Sequence, residues 1–220
     1  MEEELIRKIV EKVVREVQGR EVCTSSGDPI PINISNRHVH MRRDDLEALF
    51  GKGFELTRMR DLMQPGEFAS KETVTLVGPG GVIRDVRVLG PVRNYTQVEI
   101  SLTDSFALGI SSPLIRDSGA HEGTPGITVV GPQGAVTLRQ GLVIAQRHIH
   151  MTPGDARRCG VKDGEWARVL VDGPRGLIFD RVLVRVKETY ALEMHLDIDE
   201  ANACALKPGA SGILVRGITL

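Results

Sequence analysis

The sequence predicts a mainly β protein, assembled as compact β-barrels with short helices and an internal duplication. Three observations carry that expectation. Runs rich in Val, Ile, Leu and Thr are short and are separated by Gly-Pro turns. Helical signals are brief, and aromatic residues make up only 4% of the chain, which favours barrels over a parallel sheet with crossover helices. Finally, the phrase Arg37-His38-Val39-His40-Met41 returns as Arg147-His148-Ile149-His150-Met151.

At the N-terminus, Leu5, Ile6, Ile9, Val10, Val13, Val14 and Val17 share one face and charges fill the other, so an amphipathic helix is expected over 1–20. It packs on its own domain or on a second subunit, or it docks the chain into a larger assembly; the pattern leaves both open. Thr24-Ser25-Ser26-Gly27-Asp28-Pro29 marks a linker over 21–29. Strands are expected over 30–35, 73–77, 82–89, 97–102, 127–130, 136–138, 142–145, 166–171, 177–186, 192–196 and 212–215. Short helices are expected over 44–50, 104–108, 153–159 and 199–205.

The 220 residues carry 28 basic and 29 acidic side chains, a net charge of −1 that speaks against a nucleic-acid groove or a membrane surface. Small molecules or other protein chains are the expected partners. Cys23, Cys159 and Cys204 are odd in number and lack C-x-x-C spacing, which argues against a disulfide framework and fits a reducing, cytosolic setting. No apolar run reaches membrane-span length, and the acidic Met1-Glu2-Glu3-Glu4 start is unlike a secretory signal.

On a strand, residues i and i+2 point to the same face, so each His-x-His can aim two imidazoles at one point. Imidazole is the commonest protein ligand for zinc and similar ions. Following the repeat further, Gly78-Pro79-Gly80-Gly81-Val82-Ile83-Arg84-Asp85 matches Gly173-Pro174-Arg175-Gly176-Leu177-Ile178-Phe179-Asp180, and Val98-Glu99-Ile100 matches Met194-His195-Leu196. That alignment turns two pairs into two three-donor sets: His38, His40 and Glu99, and His148, His150 and His195. Three protein donors with an open fourth position is the pattern of a catalytic metal. The first copy carries extra residues, placed at about 54–72 as an excursion from its barrel. Arg93, in the loop leading to Glu99, is a candidate for pairing with an anionic oxygen group. His121, outside the repeat, reads as a surface loop residue; 111–119 reads as a channel lining or a turn-rich connection, and Cys159 and Cys204 as packing residues.

These residues resemble the PduL-type phosphate acyltransferases (phosphotransacylases). The likeness runs from about residue 30 to 220. It is carried by Asn33-Ile34-Ser35-Asn36-Arg37-His38-Val39-His40, Gly90-Pro91-Val92-Arg93, Gln97-Val98-Glu99-Ile100-Ser101, Ile115-Arg116-Asp117-Ser118-Gly119, Ala145-Gln146-Arg147-His148-Ile149-His150-Met151 and Glu193-Met194-His195-Leu196-Asp197. The resemblance implies two β-barrels, one built from 30–36 plus 146–220 and the other from 37–145. It implies two divalent metals per chain, taken as zinc, held by His38, His40, Glu99, His148, His150 and His195, with Arg93 as the phosphate-binding, catalytic arginine. It further implies the reaction acyl-CoA + phosphate = acyl phosphate + CoA, with coenzyme A and phosphate as partners; apart from the resemblance, a homodimer is the expected assembly. Some members enter a bacterial microcompartment through an N-terminal helix, so the chain is expected in the cytoplasm or inside such a compartment. Two other readings remain open at this point: a bicupin-like metal enzyme, and a metal-binding assembly protein without activity.

Overall fold

The computed structural model describes residues 23–24 and 29–216. The helix expected over 1–20 and most of the linker over 21–29 lie outside the described residues. In chain order the strands are β1 (Cys23–Thr24), β2 (Ile30–Ser35), β3 (His38–Arg42), β4 (Arg58–Asp61), β5 (Phe68–Val77), β6 (Val82–Arg93), β7 (Gln97–Glu99) and β8 (Ile115–Arg116). They continue as β9 (Ile127–Val130), β10 (Ala135–Leu138), β11 (Leu142–Ala145), β12 (His148–Met151), β13 (Trp166–Val171), β14 (Leu177–Val186), β15 (Glu193–Asp197) and β16 (Ser211–Arg216). The helices are α1 (Arg43–Phe50), α2 (Leu102–Leu108), α3 (Pro153–Cys159) and α4 (Ile198–Ala203).

The fold is mainly β, with one closed barrel and one half-barrel. Six strands close the first in the order β2-β15-β12-β14-β13-β16, since β16 pairs back to β2; β1 adds to the β16 edge. The second runs β10-β9-β5-β6-β3-β7-β11-β8, with β4 paired to β5. Within it, β3-β7 and β3-β6 repeat the antiparallel and parallel pairings of β12-β15 and β12-β14.

The strand that precedes each histidine phrase belongs to the opposite barrel. β2 leads into β3 yet pairs with β15, and β11 leads into β12 yet pairs with β7. Both crossings therefore run between the barrels, and the residues that make them, Asn36 and Gln146, sit one position before Arg37 and Arg147. Each arginine then pins the N-terminal turn of a helix: Arg37 pairs with Asp104 of α2 at 3.0 Å, and Arg147 with Glu200 of α4 at 2.7 Å.

Alternation along the donor strands explains which side faces the site. Val39 and Met41 of β3 are fully buried in one core with Val86, Val88 and Val98; Ile149 and Met151 of β12 are fully buried in the other with Val182, Val184 and Met194. The histidines between them must then point to the opposite face. Truncating Met41 or Met151 to alanine would cost about 2–5 kcal/mol through lost burial and a cavity.

Helix starts fix where these strands end. Ser101, Thr152 and Asp197 each close a capping box with Asp104, Asp155 and Glu200, two residues beyond Glu99, His150 and His195 respectively. The strand expected over 97–102 accordingly stops at Glu99, because Ser101 already serves as the N-cap of α2. The excursion takes the form of a two-stranded arm, with Arg58 opposite Ser70 and Asp61 opposite Phe68.

Candidate metal and anion site

β3 and β7 bring the first donor set together. His38 lies directly across from Glu99 in the antiparallel register, and His40 is two residues further on the same face. All three are buried, and one donor atom from each lies within 4.8 Å of the others. The two Nε2 atoms are 3.2 Å apart, His38 Nε2 is 3.5 Å from Glu99 Oε2, and His40 Nε2 is 4.0 Å from Glu99 Oε1. Donors held about 2.0–2.2 Å from a tetrahedral ion stand about 3.3–3.6 Å apart, so this set fits a metal with slight contraction on the His40–Glu99 side.

The His38 tautomer and the preference for positive charge beside Glu99 are compatible with the same reading. His38 Nδ1 faces the Asn36 carbonyl at 2.8 Å and must donate to it, leaving the Nε2 lone pair for the site. Burial alone would lower the His38 pKa, yet the Glu99 carboxylate lifts it above its ordinary value. Burial, aided by the charges of His38 and Arg93, holds His40 well below the usual imidazole range. Glu99 is desolvated, which would raise its pKa, but His38 and then His40 hold it far below the carboxylate range. It stays ionised. His40 Nδ1 is buried without a hydrogen-bond partner among the described residues.

β12 and β15 repeat the register, with His148 across from His195 and His150 across from Glu193. The three imidazoles cluster, with ring centroids 4.7 Å apart for His148 and His150 and 4.9 Å apart for each with His195. His148 Nδ1 donates to the Gln146 carbonyl at 2.7 Å, and His150 Nδ1, like that of His40, is buried without a hydrogen-bond partner among the described residues. Burial and then the neighbouring imidazoles push His148 down to about 3 and His150 to about 2, so both stay neutral. Their nitrogens do not converge as the first set does. Among the described residues, the only tight donor group is His38, His40 and Glu99. His195 Nε2 instead donates to Glu193 Oε2 at 2.7 Å.

One cavity of about 870 Å³ is lined by all six candidate donor residues and by Arg93. Arg93 donates from Nη1 to the Tyr95 hydroxyl at 3.0 Å and from Nη2 to Glu67 Oε1 at 2.8 Å, so its guanidinium is held in place. The two free cysteines among the described residues, Cys159 and Cys204, are packed in the core of the closed barrel.

Several residues given no metal or anion role by the sequence also reach the site, among them Ser118 from the 111–119 segment read as a channel lining or a turn-rich connection. Gln97, fully buried, donates to Glu99 Oε1 at 2.6 Å and accepts from the Gly119 N–H and from His121 Nε2, both at 2.7 Å. His121 is a partly exposed loop residue, as its isolation suggested, and in addition it supports Gln97. Ser118 of the same loop accepts from Gln97 Nε2 at 2.9 Å and lines the cavity. Glu193 accepts from His195 and from Gln64 Nε2 at 2.9 Å, and Gln64 comes from the far end of the arm. The i,i+2 spacing of Gln97 with Glu99 and of Glu193 with His195 was the available signal. Nothing in the sequence marked His121 or Gln64, whose contacts span distant segments.

Fold and site together define a duplicated β-barrel protein with a buried imidazole–carboxylate group able to hold a metal, open to a cavity with a fixed arginine. A model of the phosphate propanoyltransferase family matches residues 31–207, and the chain belongs to that family of acyltransferases. It is 59% identical over 181 residues to a phosphate propanoyltransferase of Thermotoga maritima, covering 82% of this chain and 86% of that protein. It is 48% identical over 215 residues to the one of Rhodopseudomonas palustris, covering 94% and 95%, and 46% identical over 211 residues to the one of Enterococcus faecalis, covering 96% and 97%. The bicupin and scaffold readings fall with family membership. No helix among the described residues is long and apolar enough to cross a membrane.

Proposed function

We propose that this protein transfers a short acyl group, propanoyl or acetyl, reversibly between coenzyme A and inorganic phosphate. The observation that carries the reading is the buried His38, His40 and Glu99 group beside Arg93 in one cavity, in a chain whose relatives are phosphate propanoyltransferases. In this reading two divalent ions, zinc by choice of donors, are held by His38, His40 and Glu99 and by His148, His150 and His195. The second set needs His195 to turn a ring nitrogen towards His148 and His150. Bound there, such ions would supply Lewis acidity and positive charge to the oxygens that His38, His40, Glu99, His148, His150 and His195 surround.

The chain's own residues do the rest. Arg93 orients phosphate by charge-assisted hydrogen bonds, and the cavity walls hold the thioester so that a phosphate oxygen meets its carbonyl carbon. The new C–O bond forms as the C–S bond breaks, and coenzyme A leaves as the thiolate. Cys159 and Cys204 lie in the barrel core, and burial raises the Cys204 thiol pKa, which disfavours an acyl-enzyme. The family reading extends to a cytoplasmic or microcompartment-resident homodimer, with residues 1–20 as the docking segment; light scattering and a 1–20 deletion test both.

The deciding experiment is thiol release from propanoyl-CoA and acetyl-CoA, with and without phosphate, alongside metal analysis. Phosphate-dependent release with two equivalents of metal per chain is expected. Full activity in chelated, metal-free protein, or release indifferent to phosphate, would overturn the reading.

A further inference from the structure

The arginines lining the cavity differ in how fully they are engaged. Arg93 is tied to Glu67 and Tyr95, Arg37 to Asp104, and Arg87 donates to the carbonyls of Ser70 and Lys71. Arg60 and Arg84 are exposed. Arg185 is the exception: it is half-buried, it lines the cavity, and it has no hydrogen-bond or ion-pair partner among the described residues. A desolvated, unpaired guanidinium is costly unless an anion meets it.

Its position follows from the strands. β14 runs parallel to β12 with Arg185 beside His150 and Leu183 beside His148, so Arg185 projects to the same face as the second histidine set. The core side of β14 is taken by Val182 and Val184. In the other half the equivalent pair is inverted: Leu89 lies beside His40, and Arg87 lies beside His38. Only the second half therefore puts a cation next to the inner histidine, and among the described residues no carboxylate is paired to it.

We propose that Arg185 is a second phosphate-binding residue, receiving the oxyanion of inorganic phosphate, or of acyl phosphate in the reverse direction, beside the second histidine set. This rests on the acyltransferase reading above and adds to it a residue from the opposite barrel to Arg93. The nucleotide phosphates of coenzyme A are the competing source of the same chemistry. The pantetheine arm separates them by many bonds from the sulfur, whereas Arg185 adjoins a residue at the reacting end.

The test compares Arg185→Gln and Arg185→Lys with the wild type by steady-state kinetics, metal content and the shift in thermal midpoint that inorganic phosphate produces. Losing a charge-assisted hydrogen bond should raise KM for phosphate and for acyl phosphate by about 10-fold or more, with KM for acyl-CoA and CoA within about 2-fold. Phosphate should no longer raise the thermal midpoint of Arg185→Gln, and lysine should restore part of both effects. Metal content and the midpoint without phosphate should match the wild type. An unchanged phosphate KM and thermal shift overturns the proposal, as does a rise confined to CoA and acyl-CoA. If the wild type releases no CoA in a phosphate-dependent way, the acyltransferase reading fails, and the phosphate-induced shift still reports on Arg185.

Discussion

At His38 and His148 the two halves of the site match. Each outer imidazole donates a hydrogen bond from Nδ1 to the carbonyl of a residue crossing between barrels, and each inner imidazole, His40 or His150, has a buried Nδ1 without a partner among the described residues. At the third donor they part. The first half carries Gln97 and Glu99 where the second carries Glu193 and His195. Each pair holds one carboxylate, but in the first it belongs to the donor itself and in the second to the residue behind the donor. A cation among His38, His40 and Glu99 would have one charge offset directly; one among His148, His150 and His195 would keep more of its charge for a substrate. The lesson is that duplication can preserve a frame of backbone register and imidazole orientation while moving a single negative charge by two residues.

The largest effect should come from deleting an inner imidazole. His40→Ala and His150→Ala should each lower kcat/KM by about 10³-fold or more, on the scale of losing one group that stabilises a developing oxyanion. Metal analysis distinguishes the halves: His40→Ala should lose the ion of the first set and His150→Ala that of the second, each keeping the other. Loss of both ions from either variant would mean one shared site in place of two unequal ones.

A smaller effect is expected behind the donors. Glu193→Gln keeps the contact with Gln64 but withdraws the carboxylate that accepts from His195. It should weaken the metal affinity of the second set about 10- to 100-fold, read by chelator competition, with the first set unchanged. Gln97→Glu places a second carboxylate against Glu99 and the first set should respond instead. Equal responses of both sets to either change would show that the halves are electrostatically interchangeable.

That the histidines of each phrase share a face was legible because the repeat is written in the sequence and period-2 alternation assigns each histidine to one face. Strand ends were less so: the capping function of Ser101 overrides the apolar run that suggests a strand to 102. The exchange of β2 and β11 between barrels has no local signature, since their partners, about 160 residues away for β2 and about 44 for β11, are chosen by packing and not by a turn. Gln64 illustrates the same limit. It lies in the arm that lacks a counterpart in the repeat, yet its side chain meets Glu193 and both polar backbone groups of Ala191 across 127 to 129 residues. That contact ties the arm of one half to the donor strand of the other.

The smallest predicted effect concerns the two arginines, one restrained and one free. Glu67 sits 2.8 Å from Arg93, and both side chains are only partly buried, so the ion pair is a modest competitor for any anion that Arg93 is to bind. Glu67→Gln removes that competition while leaving Arg93 its contact with Tyr95. KM for phosphate should then fall by a few-fold, with kcat little changed, because the interaction released acts on binding and not on the bond-breaking step. The same substitution should leave the contribution of Arg185 intact, so the effects of Glu67→Gln and Arg185→Gln on phosphate KM should multiply in the double variant. A double variant that departs strongly from the product would place both arginines on one oxyanion, in contact through it. Independent effects would instead assign Arg93 and Arg185 to separate oxygens, one cation from each barrel.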